Sequence, residues 1–166
     1  MNNSTPEFSL EVDGIQGFCP PGEAWAKQHI SQNKIPFLSC EGPCVRGDIA
    51  RLAANMVAEE EPYARCCYQE AFNVPYSSMA LWVKEKADKV VMIDGCFLTC
   101  VGRILNNLVE QEKIINFDAL PMYKKYQDVF AMDDVPLEER TAVAREVADE
   151  ILTKLKQEKE SETSEG

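Results

Sequence analysis

The chain has 166 residues, 45% of them hydrophobic, and a formal net charge of −11 at pH 7. That length suits one domain with a buried core, and that composition excludes wholesale disorder. The acidic balance argues against nucleic acid as a partner, because a phosphate backbone is recognised by a basic surface. It disfavours binding to anionic membranes for the same reason.

The sequence shows no secretory or membrane-spanning segment. Residues 1–12 lack the basic and apolar regions of a signal peptide. No apolar run approaches the roughly 18 residues that a spanning helix needs. We therefore expect a cytoplasmic protein, in a reducing compartment where its seven cysteines form no stable disulfide framework. Clustered cysteines in that setting indicate metal or redox chemistry.

The amino-terminal third predicts an extension followed by the first elements of a core. Residues 1–35 are poorly periodic and rich in turn formers, so we expect them to wrap the domain, with one short helix over Glu23–Ile30. Pro36–Cys40 is a short apolar strand. Apolar residues spaced by three and four from Ile49 to Val57 predict an amphipathic helix. Tyr63–Tyr68 is predicted as the second strand.

The middle of the chain continues this alternation. Ser77–Ala87 predicts a helix with a serine cap. Lys89–Asp94 is the clearest strand, because it is β-branched and continuously apolar, as strands buried on both faces are. Apolar spacing over Leu98–Leu108 predicts another helix, and Lys113–Phe117 a further strand. The order predicts an α/β fold over residues 36–135: three layers, with a mostly parallel sheet of about four strands flanked by helices.

A long helix is predicted over Pro136–Lys156, within a carboxyl-terminal segment formed by residues 136–166. We expect its apolar stripe either to cover the domain or to form a homodimer with a second copy, and the polar tail from Gln157 onward to fray. The residues of the stripe are Val143, Val147, Ile151 and Leu155, backed by Ala144 and Ala148.

Most of the cysteines lie where predicted strands end or where the following helices begin. The carboxyl ends of parallel strands share one edge of a sheet, and ligands bind at that edge. A helix N-terminus there favours the thiolate, which is the form that binds metal. The sequence therefore predicts one shared site with these candidate metal ligands: Cys40, Cys44, Cys66, Cys67, Cys96 and Cys100.

Two Cys-x-x-x-Cys units, at residues 40–44 and 96–100, resemble one another. Each follows a predicted strand, opens a predicted helix and is followed by an arginine, Arg46 or Arg103. We interpret them as one strand-to-helix arrangement used twice. One such unit is weak evidence for a shared site, because cysteine is a common buried residue. Two units together with the pair Cys66-Cys67 are stronger evidence. Cys19 is the outlier, either a bystander or a lid ligand.

The chemistry of the thiolates narrows the choice of metal. Soft sulfur ligands select zinc, copper(I) or iron–sulfur clusters, and the common ferredoxin spacings are absent. Zinc suits ligands that arrive from separate strands. Four thiolates would close the site, whereas three would leave a position for water or substrate.

A known family shares the motif at residues 91–100. The segment resembles the DGC domain family, bacterial and archaeal proteins regarded as candidate zinc-binding proteins. Their apolar strand runs into Asp-Gly-Cys, as at Asp94-Gly95-Cys96 here, with a second cysteine four residues later, as at Cys100. The resemblance implies zinc as the cofactor but no established reaction.

The resemblance extends over residues 37–117. The family's earlier strand that ends in cysteine is similar to the segment at residues 40–42, and a cysteine on the intervening strand corresponds to Cys66 or Cys67. The sequence departs from the family by placing Pro43 and Cys44 where small polar residues are usual. It also has residues 69–76 in place of a glycine-rich stretch.

Three other residues are considered as parts of the site because of their residue type and position. Asp94 could orient a ligand, act as a base or cap the following helix, and capping is the favoured interpretation. Gly95 is expected to allow a tight turn. His29, the only histidine, lies outside the predicted core, so a Cys–His catalytic pair is not favoured.

Three functions follow from these features. The first is a zinc-binding protein, structural or metal-handling. The second is a thiol redox enzyme that uses Cys96 with Cys100 or Cys40 with Cys44, although the spacing is near the limit of disulfide reach. The third is a non-enzymatic interaction module that uses the carboxyl-terminal helix.

Overall fold

The computed structural model describes residues 9–164, with side chains as far as residue 161. Our expectations for residues 1–8 and 165–166 lie outside the described residues. The helices are α1 (Pro20–Ser31), α2 (Val45–Val57), α3 (Tyr68–Asn73), α4 (Ser78–Leu81), α5 (Gly102–Leu105), α6 (Leu120–Tyr123) and α7 (Leu137–Ser164). The strands are β1 (Ile35–Ser39), β2 (Tyr63–Arg65), β3 (Val90–Asp94) and β4 (Ile114–Asp118). A π-helical turn (Trp82–Lys86) and two 3₁₀ turns (Gln111–Lys113 and Met132–Asp134) complete the elements.

The four strands form one parallel sheet in the order β2-β1-β3-β4. Phe37 of β1 pairs with Arg65 of β2 on one side and with Val91 of β3 on the other. The strand order reverses between β1 and β3. In doubly wound sheets such a reversal is a switch point, and it opens a crevice beyond the carboxyl ends of the two strands.

Helices cover both faces of the sheet, which confirms the predicted three-layer α/β fold. Phe37, Val91 and Ile93 face a core cluster shared with α2 and α7. Leu38 and Met92 point the opposite way, into a second cluster shared with α1, α4, α5 and the π-helical turn. Strand β3 is buried along its whole length, because both of its faces are covered.

Helix α7 packs into the same core as the sheet. All the residues of its predicted stripe are buried within this chain, so they are not available to a homodimer interface. The helix continues past Gln157, where fraying was expected, to Ser164. The division of the chain after residues 35 and 135 stays a prediction.

A buried ion pair joins α7 to α2. Asp48 and Arg140 are 3% and 8% exposed, and the Arg140 Nη1 donates to the Asp48 carboxylate. Arg140 Nε also donates to the Val135 carbonyl at 3.0 Å, and Arg51 donates to the second Asp48 oxygen at 2.6 Å. Because buried charges are costly unless paired, these bonds fix how α7 lies on α2.

Two predicted elements are shorter than expected. Strand β2 ends at Arg65, because Cys66 makes one last backbone bond, to the Phe37 carbonyl, and Cys67 then becomes the N-cap of α3. The helix predicted over Leu98–Leu108 is reduced to α5. Thr99 has a positive φ of 44°, which is incompatible with a right-handed helix, so no helix can run through it.

His29 is buried, contrary to the expectation that it lies outside the core. It is 7% exposed and its ring lies 4.2 Å from that of Trp25 and 5.6 Å from that of Trp82, centroid to centroid. Its Nδ1 lies 2.8 Å from the Trp25 carbonyl oxygen. The residue packs α1 against the π-helical turn.

Among residues 9–164, no helix is both long enough and apolar enough to cross a membrane.

The buried stripe of α7 gives a stability prediction. Ile151 is fully buried, so Ile151→Ala should lower the free energy of unfolding by about 2–5 kcal/mol in urea denaturation. The exposed Lys156 on the same helix is the matched control, and Lys156→Ala should change it by less than about 0.5 kcal/mol. If Ile151→Ala instead left stability intact and dissociated a dimer on size-exclusion chromatography, the placement of α7 would be wrong.

A second prediction concerns acid stability. The buried Glu23 carboxylate accepts from the Ser78 backbone N–H at 2.5 Å and from Ser78 Oγ at 2.6 Å. These bonds lower the pKa of Glu23, against the opposing effect of burial. A carboxyl with a lowered folded pKa stabilises the protein above its unfolded pKa of about 4.3, and that contribution is lost as the pH falls through the folded pKa.

Glu23→Gln should therefore cost about 1 kcal/mol at pH 7, measured by urea denaturation. The difference from the parent protein should shrink as the pH is lowered towards 3. Glu59→Gln, at an exposed position, is the control. An equal loss at both pH values would show that the ionised carboxylate is not what stabilises this contact.

Candidate metal centre

The loops that follow β1 and β3 meet at the switch point of the sheet. Cys40 directly follows β1, and its backbone N–H donates to the Ile93 carbonyl of β3 at 2.8 Å. Gly95 and Cys96 directly follow β3. Cys40 and Cys96 therefore leave neighbouring strands at the same edge, as the sequence predicted from the order of elements.

Close backbone contacts hold these loops against the start of α2. A Cβ atom on Gly95 would lie 2.7 Å from the Arg46 carbonyl oxygen, and one on Gly47 would lie 2.6 Å from the Gly42 carbonyl oxygen. Both distances are shorter than van der Waals contact and both neighbours are backbone atoms. Only glycine fits at these two positions, so the loop after β1, the loop after β3 and the α2 N-terminus are packed as one unit.

The sulfur atoms of Cys40 and Cys44 both lie close to Gly42. A Cβ built on Gly42 would be 3.7 Å from the Cys40 Sγ and 3.9 Å from the Cys44 Sγ. Cys44 is the N-cap of α2, and its Sγ accepts the Gly47 N–H at 3.4 Å. An isolated antiparallel bridge also pairs the backbone of Cys44 with that of Ala131, and it holds the loop after β1 against that segment.

Groups around Cys40 shift the pKa of its thiol in opposite directions. The pKa of Cys40 is raised, chiefly by burial and in part by Asp94 and Cys44. The backbone N–H groups of Gly42 and Gly95 act the other way, because they favour the thiolate. This thiol is therefore not a low-pKa nucleophile, but it has donors in place for the negative charge that metal binding would create.

Tyr123 is a residue of the site that sequence reasoning missed. No sequence motif includes it, yet its pKa is raised by burial, lowered by Arg46, and raised by Asp118, Cys44 and Cys96. The charged groups at this edge of the sheet therefore act on its hydroxyl. No local motif marks this residue, since it reaches the site from α6, beyond the last strand of the sheet.

The other predicted ligands differ in their exposure. Cys66 is 2% exposed in the core on the α1 side of the sheet, where burial raises the pKa of its thiol. Cys67 and Cys100 are exposed, and so is Cys19, the N-cap of α1.

The second Cys-x-x-x-Cys unit does not repeat the first, which corrects our interpretation of one arrangement used twice. Cys44 caps a helix of 13 residues, whereas Cys100 lies in a turn before a helix of four. The left-handed residue Thr99 lies between Cys96 and Cys100, and α5 begins only at Gly102 with Val101 as its N-cap, so Cys100 does not cap a helix as Cys44 does.

The side chains of the described residues do not form a closed coordination set. Across residues 9–164, no group of three or more His, Cys, Asp or Glu side chains is arranged to hold a metal ion. All seven cysteines, which lie in that range, are free thiols. Cys40, Cys44 and Cys96 are each half-buried, in loops whose backbone is fixed.

Asp94 is buried, with 2% exposure, at the end of β3. Its carboxylate accepts the Gly102 N–H at 3.4 Å, at the first residue of α5. Burial raises its pKa, while the Gly102 and Val101 N–H groups lower it. The contact agrees with the capping interpretation, with α5 held over the end of β3.

The structure defines an α/β protein with a parallel sheet of four strands, in which Cys40 and Cys96 lie at the carboxyl ends of neighbouring strands. A family model described as the DGC domain matches residues 37–147, so the chain belongs to the DGC domain family. Searches of curated proteins and of solved structures gave no match. The family assignment agrees with the resemblance found at Asp94-Gly95-Cys96.

The glycine contacts give a prediction for the site. Gly95→Ala should lower the free energy of unfolding by roughly 1–3 kcal/mol, because the added methyl meets backbone that cannot move aside cheaply. It should also speed the reaction of Cys40 and Cys96 with a thiol reagent. Gly14→Ala is the control, since nothing lies within 4 Å of that Cβ position. Equal behaviour of the two variants would contradict the close packing.

Proposed function

We propose that this protein binds zinc through Cys40, Cys44 and Cys96 at the switch point of the sheet. The observation that supports this most is the placement of Cys40 and Cys44 Sγ against Gly42, together with the packing of Gly95, directly before Cys96, against the start of α2. Thiols from two strand ends and one helix N-terminus are thereby held in adjoining, fixed loops.

The chemistry of the donors fits zinc. Thiolate sulfur is a preferred zinc ligand, and ligands of a metal site are held by hydrogen bonds from surrounding groups. Here the Gly47 N–H donates to Cys44, and the N–H groups of Gly42 and Gly95 act on Cys40. The α2 N-terminus adds a partial positive charge that favours Cys44 as thiolate.

Three sulfurs leave a fourth zinc position for water or another ligand. Zinc held by these residues would supply Lewis-acid chemistry to a group bound beside it. The chain's own part is to hold the three sulfurs, to exclude bulk water with the buried Tyr123 and Asp94, and to keep the loops rigid through Gly47 and Gly95. A reduced, cytoplasmic setting is part of this proposal, because the ligands must remain thiols.

Neither alternative function gains support of its own. The redox hypothesis needs a low-pKa attacking thiol at Cys40 or Cys96, and the pKa of Cys40 is raised. The interaction-module hypothesis needs the apolar stripe of α7 on the surface, and that stripe is buried within the chain.

Elemental analysis of the protein purified without added metal or chelator tests the proposal. About one zinc per chain is expected, with lower stability when it is removed by a chelator. Cys40→Ser, Cys44→Ser and Cys96→Ser should each weaken zinc retention, and the triple variant should abolish it. Cys19→Ser is the matched control and should retain the metal.

Two results would overturn the assignment. The first is purified protein that contains no zinc and in which Cys40, Cys44 and Cys96 react with a thiol reagent as fast as the exposed Cys67. That result would refute the proposed metal site. Zinc that survives the triple variant but is lost on replacing Cys66, Cys67 or Cys100 would place the metal on the other predicted cysteines.

A further inference from the structure

A cleft runs along the edge strand β2, beside the amino end of β1. Its volume is about 300 Å³, and all three residues of β2 line it. Gln32, the C-cap of α1, and Ala58, the C-cap of α2, line it as well. No cysteine is among the described residues around this space. A cleft of that size suits a small molecule, and it is separate from the candidate metal centre.

The charge around the cleft favours a cation. The C-terminus of a helix carries about half a negative charge, and α1, of 12 residues, and α2, of 13 residues, both end at the cleft. Glu59 and Glu60, which follow α2 in the chain, line the same space. Neither carboxylate forms an ion pair with a side chain of residues 9–161.

The lysine and the arginine that line the cleft are already paired. The Lys34 ammonium bonds the carboxylate of Glu61. The Arg65 guanidinium donates to the carboxylate of Glu41 at 2.5 Å. Both positive charges are therefore neutralised within the chain, and the two glutamates that follow α2 are left without a counter-ion.

An indole ring forms part of the cleft wall. Trp25 lines the cleft and is 45% exposed. Its Nε1 donates to the Arg65 carbonyl at 2.9 Å, which holds the ring beside β2. The His29 ring packs against it, with the ring centroids 4.2 Å apart and the planes 31° apart. The face of an indole attracts a cation more strongly than that of any other side chain.

His29 offers a hydrogen-bond acceptor to the same space. Its Nδ1 lies 2.8 Å from the Trp25 carbonyl oxygen. A carbonyl oxygen can only accept, so Nδ1 carries the proton and Nε2 of the neutral ring keeps a lone pair. The side chain is 7% exposed and lines the cleft, and Nε2 has no hydrogen-bond partner among the described residues. A ligand with an N–H group would supply the missing donor.

We propose that this cleft binds a small organic cation, with an ammonium or guanidinium group on a short aliphatic stem. The cation lies against Trp25 and the carboxylates of Glu59 and Glu60, and one of its N–H groups donates to His29 Nε2. A bare metal ion is not favoured, because no group of three His, Cys, Asp or Glu side chains in residues 9–164 is arranged to hold one. The proposal is independent of zinc at the cysteines.

Isothermal titration of the full-length protein with butylammonium, ethylguanidinium and tetramethylammonium chlorides, each against sodium chloride at matched ionic strength, tests the cleft. Saturable binding of butylammonium or ethylguanidinium is expected, and the tighter of the two identifies the preferred head group. Tetramethylammonium has no N–H group and should bind more weakly. No saturable binding of either N–H cation would overturn the proposal. Tetramethylammonium that binds as tightly as they do would overturn the role of His29.

Variants separate this cleft from general attraction to an acidic chain. Glu59→Gln combined with Glu60→Gln removes both free carboxylates and should weaken binding about tenfold. Trp25→Leu keeps an apolar side chain but removes the indole, and it should weaken binding about threefold. These positions are exposed, so the variants should fold as the parent protein does, which circular dichroism checks. Unchanged affinity in both variants would overturn the proposal.

Two controls match these changes. Asp133→Asn combined with Asp134→Asn removes another adjacent pair of exposed carboxylates, and Phe130→Leu removes another exposed aromatic ring. None of these three residues lines the cleft. Both controls should bind the cation as the parent protein does. Equal weakening in the aspartate control and in the glutamate variant would show that the overall charge of the chain attracts the cation, and it would overturn the proposal.

Discussion

Backbone-to-backbone contact between the loops after β1 and β3 and the start of α2 is the constraint on which this site depends. Gly47 lies on Gly42 and Gly95 lies on Arg46, each too close for a side chain. These contacts tie the loops of two neighbouring strands to one helix N-terminus. Cys40, Cys44 and Cys96 are then carried by one closely packed backbone unit, which is the preorganisation a binding site needs.

Much of the fold could be predicted from the chain, because the signals are strong and local. The apolar run from Val90 to Asp94 predicts a strand buried on both faces, and the structure confirms it. The alternation of strands with helices permits few topologies other than a parallel sheet. The placement of Cys40 and Cys96 at one sheet edge followed from the same rule. The helix α7 was evident from its four-residue spacing, although only the structure shows that α2 and the sheet cover its stripe.

The other features of the fold and of the site depend on tertiary contacts that no local sequence pattern indicates. The second Cys-x-x-x-Cys unit looks like the first in sequence, yet a single left-handed residue, Thr99, ends the likeness. The helix begun at Ser78 loosens into a π-helical turn at Trp82, whose indole donates to the Lys34 carbonyl at 3.0 Å. Tyr123 lies on α6, beyond the last strand, and its burial in the core could not be read from a local motif.

X-ray absorption at the zinc edge of the purified protein tests the central claim most directly, because it reports the atoms around the metal. The account predicts a shell of about three sulfurs at about 2.3 Å and one lighter atom at about 2.0 Å. Water at the fourth position would be the source of that lighter atom. A shell of nitrogen and oxygen alone would contradict a metal centre built from the thiols at the switch point of the sheet.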